Sequence, residues 1–95
     1  MNIGDLAIVH PDYQKSKKLV YASEFFDRTN ILKSLADLTV GNLTNDEVVL
    51  ILDIQYDQNL LRYALINFSC GIGWIATYKL SKIFYGNRNT DNDTR

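Results

Sequence analysis

The closing hydrophobic block at residues 71–84 constrains the fold of this chain more than any other feature. It reads Gly-Ile-Gly-Trp-Ile-Ala-Thr-Tyr-Lys-Leu-Ser-Lys-Ile-Phe and follows two strand-like runs. Residues 72–77 suit a strand, residues 78–80 suit a single 3₁₀ turn, and residues 81–85 suit a last short strand. Together with the β-prone run at residues 3–9, the block predicts a small β-barrel whose last strand pairs with its first.

The clearest strand lies at residues 46–56, where apolar residues first occupy both faces and then alternate with polar ones. The residues expected on one face are Val48, Leu50, Leu52, Ile54 and Tyr56. Turn-forming residues follow at 57–59, and the chain returns as a second strand at 61–69. With the strand at 72–77, these segments predict a three-stranded antiparallel meander.

A long segment separates the first strand from this meander. Pro11 ends the first strand because it lacks the amide hydrogen that a ladder requires. Residues 19–22 suit a brief strand or an extended loop. At residues 23–38 the apolar side chains recur at near-helical spacing, which predicts a helix at about residues 30–38; the alternative is an irregular hydrophobic loop packed on the barrel.

Length and composition predict one domain that is mainly β. Ninety-five residues with a hydrophobic fraction of 46% suffice for one core but not for two. We expect a single small barrel of about five strands at residues 1–85, with a long, partly helical insertion at residues 19–40. Residues 86–95 contain no apolar anchor and are expected to form a flexible polar tail.

Charge and reactive residues argue against several functions. The formal net charge of −1 lacks the basic footprint of a nucleic-acid binder, although Lys15, Lys17 and Lys18 form one positive run that suits a phosphate contact or a solvated loop. Cys70 and His10 are the only cysteine and histidine, so we expect no disulfide, zinc site or Cys–His catalytic pair. The sequence therefore predicts no enzyme activity, no cofactor and no metal.

The acidic residues around the hairpin do not predict a cation site. Asp53 and Asp57 share one side of a strand but lie about 13 Å apart at ~3.3 Å per residue, too far for one ion. We expect instead that Asp53 either faces solvent at an edge or pairs with Arg62 across the hairpin, and the cross-strand pair is the testable prediction. No run reaches the roughly 20 apolar residues of a membrane span, and the first residues do not resemble a secretory signal, so an intracellular protein is expected.

The order of these elements resembles a Src-homology-3-like (SH3-like) barrel: a strand, a long loop, a three-stranded meander, one 3₁₀ turn and a last short strand. Residues 73–80, Gly-Trp-Ile-Ala-Thr-Tyr-Lys-Leu, look like the end of such domains. The opening Gly-Asp-Leu-x-x-Val and the closing Trp-x-x-x-x-x-Leu-x-x-Ile also resemble short uncharacterised barrel proteins of tailed bacteriophages, especially marine ones.

The SH3-like resemblance implies that Ile75, Leu80 and Ile83 face the core. It also implies that Trp74 lies on the surface that peptide-binding members use as an aromatic groove. Ala76 stands where the family usually has proline, and Lys79 stands in the place of a groove tyrosine, which argues against proline-rich ligands. The tyrosines suit a protein interface, and Trp74 and Tyr78 share strand parity. The candidate partner-binding residues are Trp74, Tyr78, Tyr13 and Lys79.

These observations predict a non-enzymatic protein–protein interaction module. With the phage resemblance, we expect a virion component or a host-directed accessory protein, located in the host cytoplasm or in the virion. The expected partner is an unidentified protein, and the sequence also leaves a homo-oligomer open. The alternative is a nucleic-acid-binding small barrel that uses Lys15, Lys17 and Lys18 with neighbouring aromatic residues.

Overall fold

The computed structural model describes residues 1–26 and 38–84, and within these ranges the chain is mainly β. The strands are β1 (Leu6–Val9), β2 (Leu19–Tyr21), β3 (Thr39–Asn42), β4 (Val49–Tyr56), β5 (Arg62–Phe68), β6 (Gly71–Ala76) and β7 (Leu80–Lys82). Short 3₁₀ helices occupy Pro11–Tyr13, Ser23–Phe26 and Thr77–Lys79. The predicted 3₁₀ turn before the last strand is therefore confirmed, one residue earlier than expected.

The seven strands form one antiparallel sheet in the order β3-β2-β6-β5-β4-β1-β7, and the sheet is not closed. The predicted meander is confirmed as β4, β5 and β6. The predicted pairing of the last strand with the first is also confirmed, with Leu80 of β7 opposite Val9 of β1. The expectation of about five strands was wrong because β2 and β3 form a hairpin that adds to the free edge of β6.

The insertion after β1 differs from its prediction. Its described part contains β2, the 3₁₀ helix Ser23–Phe26 and β3, so a long helical insertion is not supported. Most of the helix expected at residues 30–38 falls outside the described residues, as does the tail expected at residues 86–95. The side chain of Val20 in β2 is fully buried in the core, and the backbone of β2 lies very close to Gly73 of β6. These two contacts hold β2 against the sheet. A Cβ on Gly73 would lie 2.5 Å from the carbonyl oxygen of Tyr21.

β4 contains a β-bulge at Leu52. Its pairing with β5 passes from Ile51 directly to Asp53 while the partner strand advances by one residue. Val49 and Ile51 face the core before the bulge, and Ile54 packs against the same core after it. The bulge therefore changes which alternate residues of β4 point inward.

The bulge explains why the expected apolar face of β4 was wrong. Strict alternation put Val48 and Leu50 on the same face as Ile54, yet they are 50% and 40% exposed. Leu50 lies opposite Asn67 of β5, which lies opposite Ile72 of β6, so these three residues share the outer face of the sheet. One inserted residue reverses the parity on its two sides.

An aliphatic core fills the inner face of the sheet. Its buried members are Ala7, Val9, Val20, Leu43, Val49, Ile51, Ala64, Ile66, Phe68, Ile75 and Leu80. The predicted core positions of Ile75 and Leu80 are confirmed, at 0% and 4% exposure, whereas Ile83 is only half-buried. We call this set the inner core.

A second cluster lies on the opposite, outer face of β5 and β6. It contains Phe25, Leu38, Tyr63, Trp74 and Ala76. The register pairs Tyr63 with Ala76 and Leu65 with Trp74, and these pairs alternate with inner-core pairs such as Ala64 with Ile75. The 3₁₀ helix Ser23–Phe26 covers this end of the outer face. We call this set the outer cluster.

The predicted pair of Asp53 and Arg62 does not form. The register places Asp53 opposite Leu65 and places Arg62 opposite Tyr56. Arg62 Nη2 donates to the carbonyl oxygen of Met1 at 2.6 Å, and Asp53 Oδ1 accepts a hydrogen bond from its neighbour's amide. The prediction was wrong because Asp53 lies three residues before Tyr56, the residue opposite Arg62, and therefore points to the other face of the sheet.

Candidate partner-binding surface

Trp74 is not a surface residue. Its side chain is 5% exposed, its ring centroid lies 4.8 Å from that of Phe26, and its Nε1 donates to the carbonyl oxygen of Ser23 at 3.0 Å. Strand parity does turn Trp74 away from the inner core, as expected. The predicted surface position was wrong because the 3₁₀ helix Ser23–Phe26 packs over that face.

The other three candidate residues meet in one place. The rings of Tyr13 and Tyr78 pack edge to face with centroids 5.3 Å apart, and Tyr78 remains 48% exposed. Lys79 Nζ lies 5.8 Å from the centroid of the Tyr78 ring. We call Tyr13, Tyr78 and Lys79 the tyrosine–lysine surface. Trp74 packs with a different set of rings. The expectation that Trp74 and Tyr78 form one patch was therefore wrong.

Two 3₁₀ helices hold the tyrosine–lysine surface. Pro11 begins the first helix, for which its fixed φ angle is suited, and the Nδ1 atom of His10 accepts a hydrogen bond from the Asp12 amide at 3.1 Å. The His10 amide donates to the carbonyl oxygen of Lys79 at 2.8 Å, which joins this helix to Thr77–Lys79. The ring of His10 also contacts Tyr13, at 6.0 Å between centroids. The two tyrosines are therefore fixed by backbone as well as by side-chain contacts.

The lysine-containing loop after Tyr13 is attached to the same surface. Lys79 Nζ donates to the carbonyl oxygen of Lys17 at 3.2 Å. Ser16 Oγ donates to the carbonyl oxygen of Tyr13 at 3.0 Å, which curls the loop back on itself. The loop that carries the exposed Lys15 and Lys17 is therefore held against the tyrosine–lysine surface through its backbone.

Lys18 has a different role from its two neighbours. It is 8% exposed, and its Nζ donates to the carbonyl oxygen of Gln14 at 3.0 Å and to Asn45 Oδ1 at 2.7 Å. Asn45 Nδ2 donates to the same Gln14 oxygen at 3.0 Å. The expectation that all three lysines lie in a solvated loop was therefore wrong for Lys18, whose stem is buried.

A shallow cavity of about 330 Å³, wide open to solvent, lies between the lysine loop and the end of β3. Its lining residues are Gln14, Lys15, Ser16, Lys17, Lys18, Asn42 and Leu43. Sequence reasoning missed this cavity because its lining comes from two distant parts of the chain, residues 14–18 and residues 42–43. The run of three lysines was the only local signal.

Two carboxyl groups with lowered pKa values lie away from this cavity. The Asn2 amide, as hydrogen-bond donor, and Lys82, 3.6 Å away, hold the pKa of Asp5 below its usual range. Burial raises the pKa of Glu47, but hydrogen bonds from the Ser69 amide and hydroxyl and from Thr44 outweigh it and lower the pKa. These groups stabilise turns rather than forming part of the candidate surface.

Comparison of the chain with protein-family models, with curated proteins and with solved structures found no match. Within residues 1–26 and 38–84, no helix is long and apolar enough to cross a membrane. The same residues contain no group of three or more His, Cys, Asp or Glu side chains placed to hold a metal ion. The tyrosine–lysine surface and the adjoining loop form the candidate functional site.

Proposed function

We propose that this protein is a non-enzymatic protein–protein interaction module and that the tyrosine–lysine surface contacts its partner. The contact between Tyr13 and Tyr78 is the main support for this proposal. It presents a half-exposed aromatic ring whose backbone is held by the two joined 3₁₀ helices. Tyrosine gives a large contact area and loses little side-chain entropy on binding, and interfaces are enriched in it. Lys79 adds a charge beside the rings.

We further propose that the sheet is a variant of the SH3-like barrel. In favour of this are the strand order β7-β1-β4-β5-β6, the 3₁₀ helix between β6 and β7, and the bulge that bends β4. In this view the hairpin of β2 and β3 belongs to the long loop after the first strand. The lack of closure of the sheet is a departure from a complete barrel.

The phage resemblance of the opening and closing motifs supports a more specific proposal. The protein would be a virion component or a host-directed accessory protein of a tailed bacteriophage, acting in the virion or in the host cytoplasm. The partner in the first case is another virion protein, and in the second it is a host protein. A virion component should copurify with particles, whereas an accessory protein should be recovered from infected cells alone.

Partner capture by the full chain tests the binding surface. We expect Tyr78→Ala to lose most of the partner recovered by the wild type, because it removes the exposed ring, while Tyr56→Ala recovers it fully. Tyr56 is a matched control because it is 58% exposed at the end of β4. Cross-links mapped by mass spectrometry should fall on residues 10–17 and 77–79. Equal recovery by wild type and Tyr78→Ala would move the binding surface elsewhere.

Nucleic-acid binding is the second candidate, favoured by Lys79 beside the Tyr78 ring and by the exposed Lys15 and Lys17 in the attached loop. Ammonium groups contact phosphates and aromatic rings stack on bases in many single-strand binders. If this candidate is correct, the full chain binds single-stranded DNA or RNA at low salt, and the affinity falls steeply as salt is added. Absence of binding at low salt removes it.

A further inference from the structure

The ammonium group of Lys18, whose side chain is largely buried, is not paired with a carboxylate. Its two hydrogen-bond acceptors, the Gln14 carbonyl oxygen and Asn45 Oδ1, are both neutral. Among residues 1–26 and 38–84, no carboxylate forms a salt bridge with it. An ammonium has three N–H donors, and these two hydrogen bonds use two of them. The positive charge and the third donor therefore leave this part-buried site suited to an anion.

The cavity beside Lys18 has the composition of an anion site. Lys15 and Lys17 line it together with Lys18, and no acidic side chain is among its lining residues. The Ser16 hydroxyl and the Asn42 amide are further polar groups in the lining. A volume of about 330 Å³ admits a carboxylate-bearing side chain and the chain segment that carries it.

The cavity is joined to the tyrosine–lysine surface. Lys79 Nζ is hydrogen-bonded to the carbonyl oxygen of Lys17, and Ser16 is hydrogen-bonded to the carbonyl oxygen of Tyr13. A single extended segment can therefore contact Tyr78 and reach the lysines of the cavity. The lysines supply the charge to which an acidic segment is complementary.

We propose that the cavity binds the carboxylate of an acidic peptide segment in the partner protein, while the same segment covers Tyr13 and Tyr78. This inference rests on the proposed interaction function, and it adds the chemistry of the partner. An acidic peptide is favoured over a nucleic acid because the chain as a whole carries a net charge of −1, which disfavours a long polyanion, whereas the cavity itself is lined by three lysines.

Nuclear magnetic resonance titrations of the isotope-labelled full chain test the proposal. The probe is the peptide acetyl-Gly-Asp-Tyr-Asp-Gly-amide, and its control is acetyl-Gly-Asn-Tyr-Asn-Gly-amide. Inorganic phosphate and a short oligothymidylate form two further arms. We expect the acidic peptide to shift the amide signals of Ser16, Lys17 and Asn42, and to bind at least about ten-fold more tightly than the control peptide.

Variants separate the cavity from general attraction between charges. Lys17→Gln should weaken the acidic peptide by about ten-fold, whereas Lys82→Gln, which removes the same charge from β7, should leave its affinity unchanged. Lys18 is left intact because its hydrogen bonds hold the loop. Equal weakening by both variants would show long-range charge attraction without a site and would overturn the proposal.

The remaining outcomes are also decisive. Phosphate binding as tightly as the acidic peptide would assign the cavity to a free anion and overturn the peptide proposal. Tighter binding of oligothymidylate than of the peptide would overturn it in favour of a nucleic acid. Failure of every anion to shift these signals would overturn the anion site alone, because the interaction function is judged separately by partner recovery with Tyr78→Ala.

Discussion

The two faces of the β4–β5–β6 meander are both packed, but by different means. The inner face carries a mostly aliphatic core, and strand alternation places most of its residues, with one change of phase at the bulge in β4. The outer face carries an aromatic cluster at one end, covered by the 3₁₀ helix Ser23–Phe26, and exposed Leu50 and Ile72 at the other. The difference shows that alternation decides which face a side chain takes, whereas a distant segment decides whether that face is buried.

Among the substitutions that test this comparison, alanine substitution of Trp74 should have the largest effect on the free energy of unfolding. Trp74→Ala should lower the free energy of unfolding by about 3–5 kcal/mol, because it empties the outer cluster and leaves the Ser23 carbonyl oxygen without its donor. Ile66→Ala, in the inner core, should cost about 2–5 kcal/mol. Chemical denaturation followed by circular dichroism measures both.

Hydrogen exchange then distinguishes the two faces. We expect Trp74→Ala to expose amides of residues 21–26 while β1 and β7 keep their protection, and Ile66→Ala to weaken protection throughout the sheet. A cost below about 1 kcal/mol for Trp74→Ala would mean that the outer cluster is not a packed part of the fold.

Gly73 is the point where β2 comes nearest to β6, and Gly73→Ala should have the next largest effect. The new Cβ would lie 2.5 Å from the Tyr21 carbonyl oxygen and 2.6 Å from Val20 Cγ1, and the backbone can relieve this only by moving. We expect a loss of about 1–3 kcal/mol in the free energy of unfolding. Gly41→Ala is the control, because its nearest contact is the Cys70 side chain at 3.3 Å. Equal costs for the two variants would contradict the close approach.

Substitution of Glu47, which precedes β4, should have the smallest effect on the free energy of unfolding. Its lowered pKa means that its hydrogen bonds to Ser69 and Thr44 stabilise the fold above the ordinary pKa of 4.5, and that this contribution is lost as the pH falls through the folded-state pKa. Glu47→Gln should cost roughly 1 kcal/mol at neutral pH, with the difference from wild type shrinking on acidification. Stability measured by denaturation from neutral to acidic pH would reveal this; a constant difference would argue against it.

Much of the strand order could be predicted from sequence because each strand of the meander has its own alternation and turn. The hairpin of β2 and β3 was harder to predict, since Leu19–Tyr21 is too short for alternation to be decisive. The prediction of which β4 residues face inward was wrong, because the residue types of β4 do not reveal a single bulge. The burial of Trp74 depends on a segment about 50 residues away, which a local pattern cannot report.

The candidate surface was predictable only in part. Tyr13, Tyr78 and Lys79 could be named because tyrosines and charges near strand ends are common at interfaces. Their contact depends on the hydrogen bond from the His10 amide to the Lys79 carbonyl oxygen, which joins distant parts of the chain. Lys18 looked like its two lysine neighbours, and only the position of Asn45 separates it from them.

The bulge at Leu52 also bears on how diverged relatives of this chain should be recognised. Selection on the inner core acts on Val49 and Ile51 before the bulge and on Ile54 after it. Related sequences should therefore keep apolar residues at odd-numbered positions of β4 before the bulge and at even-numbered positions after it. A search profile that assumes one uninterrupted alternation through β4 would penalise true relatives, whereas one that allows this change of phase would retain them.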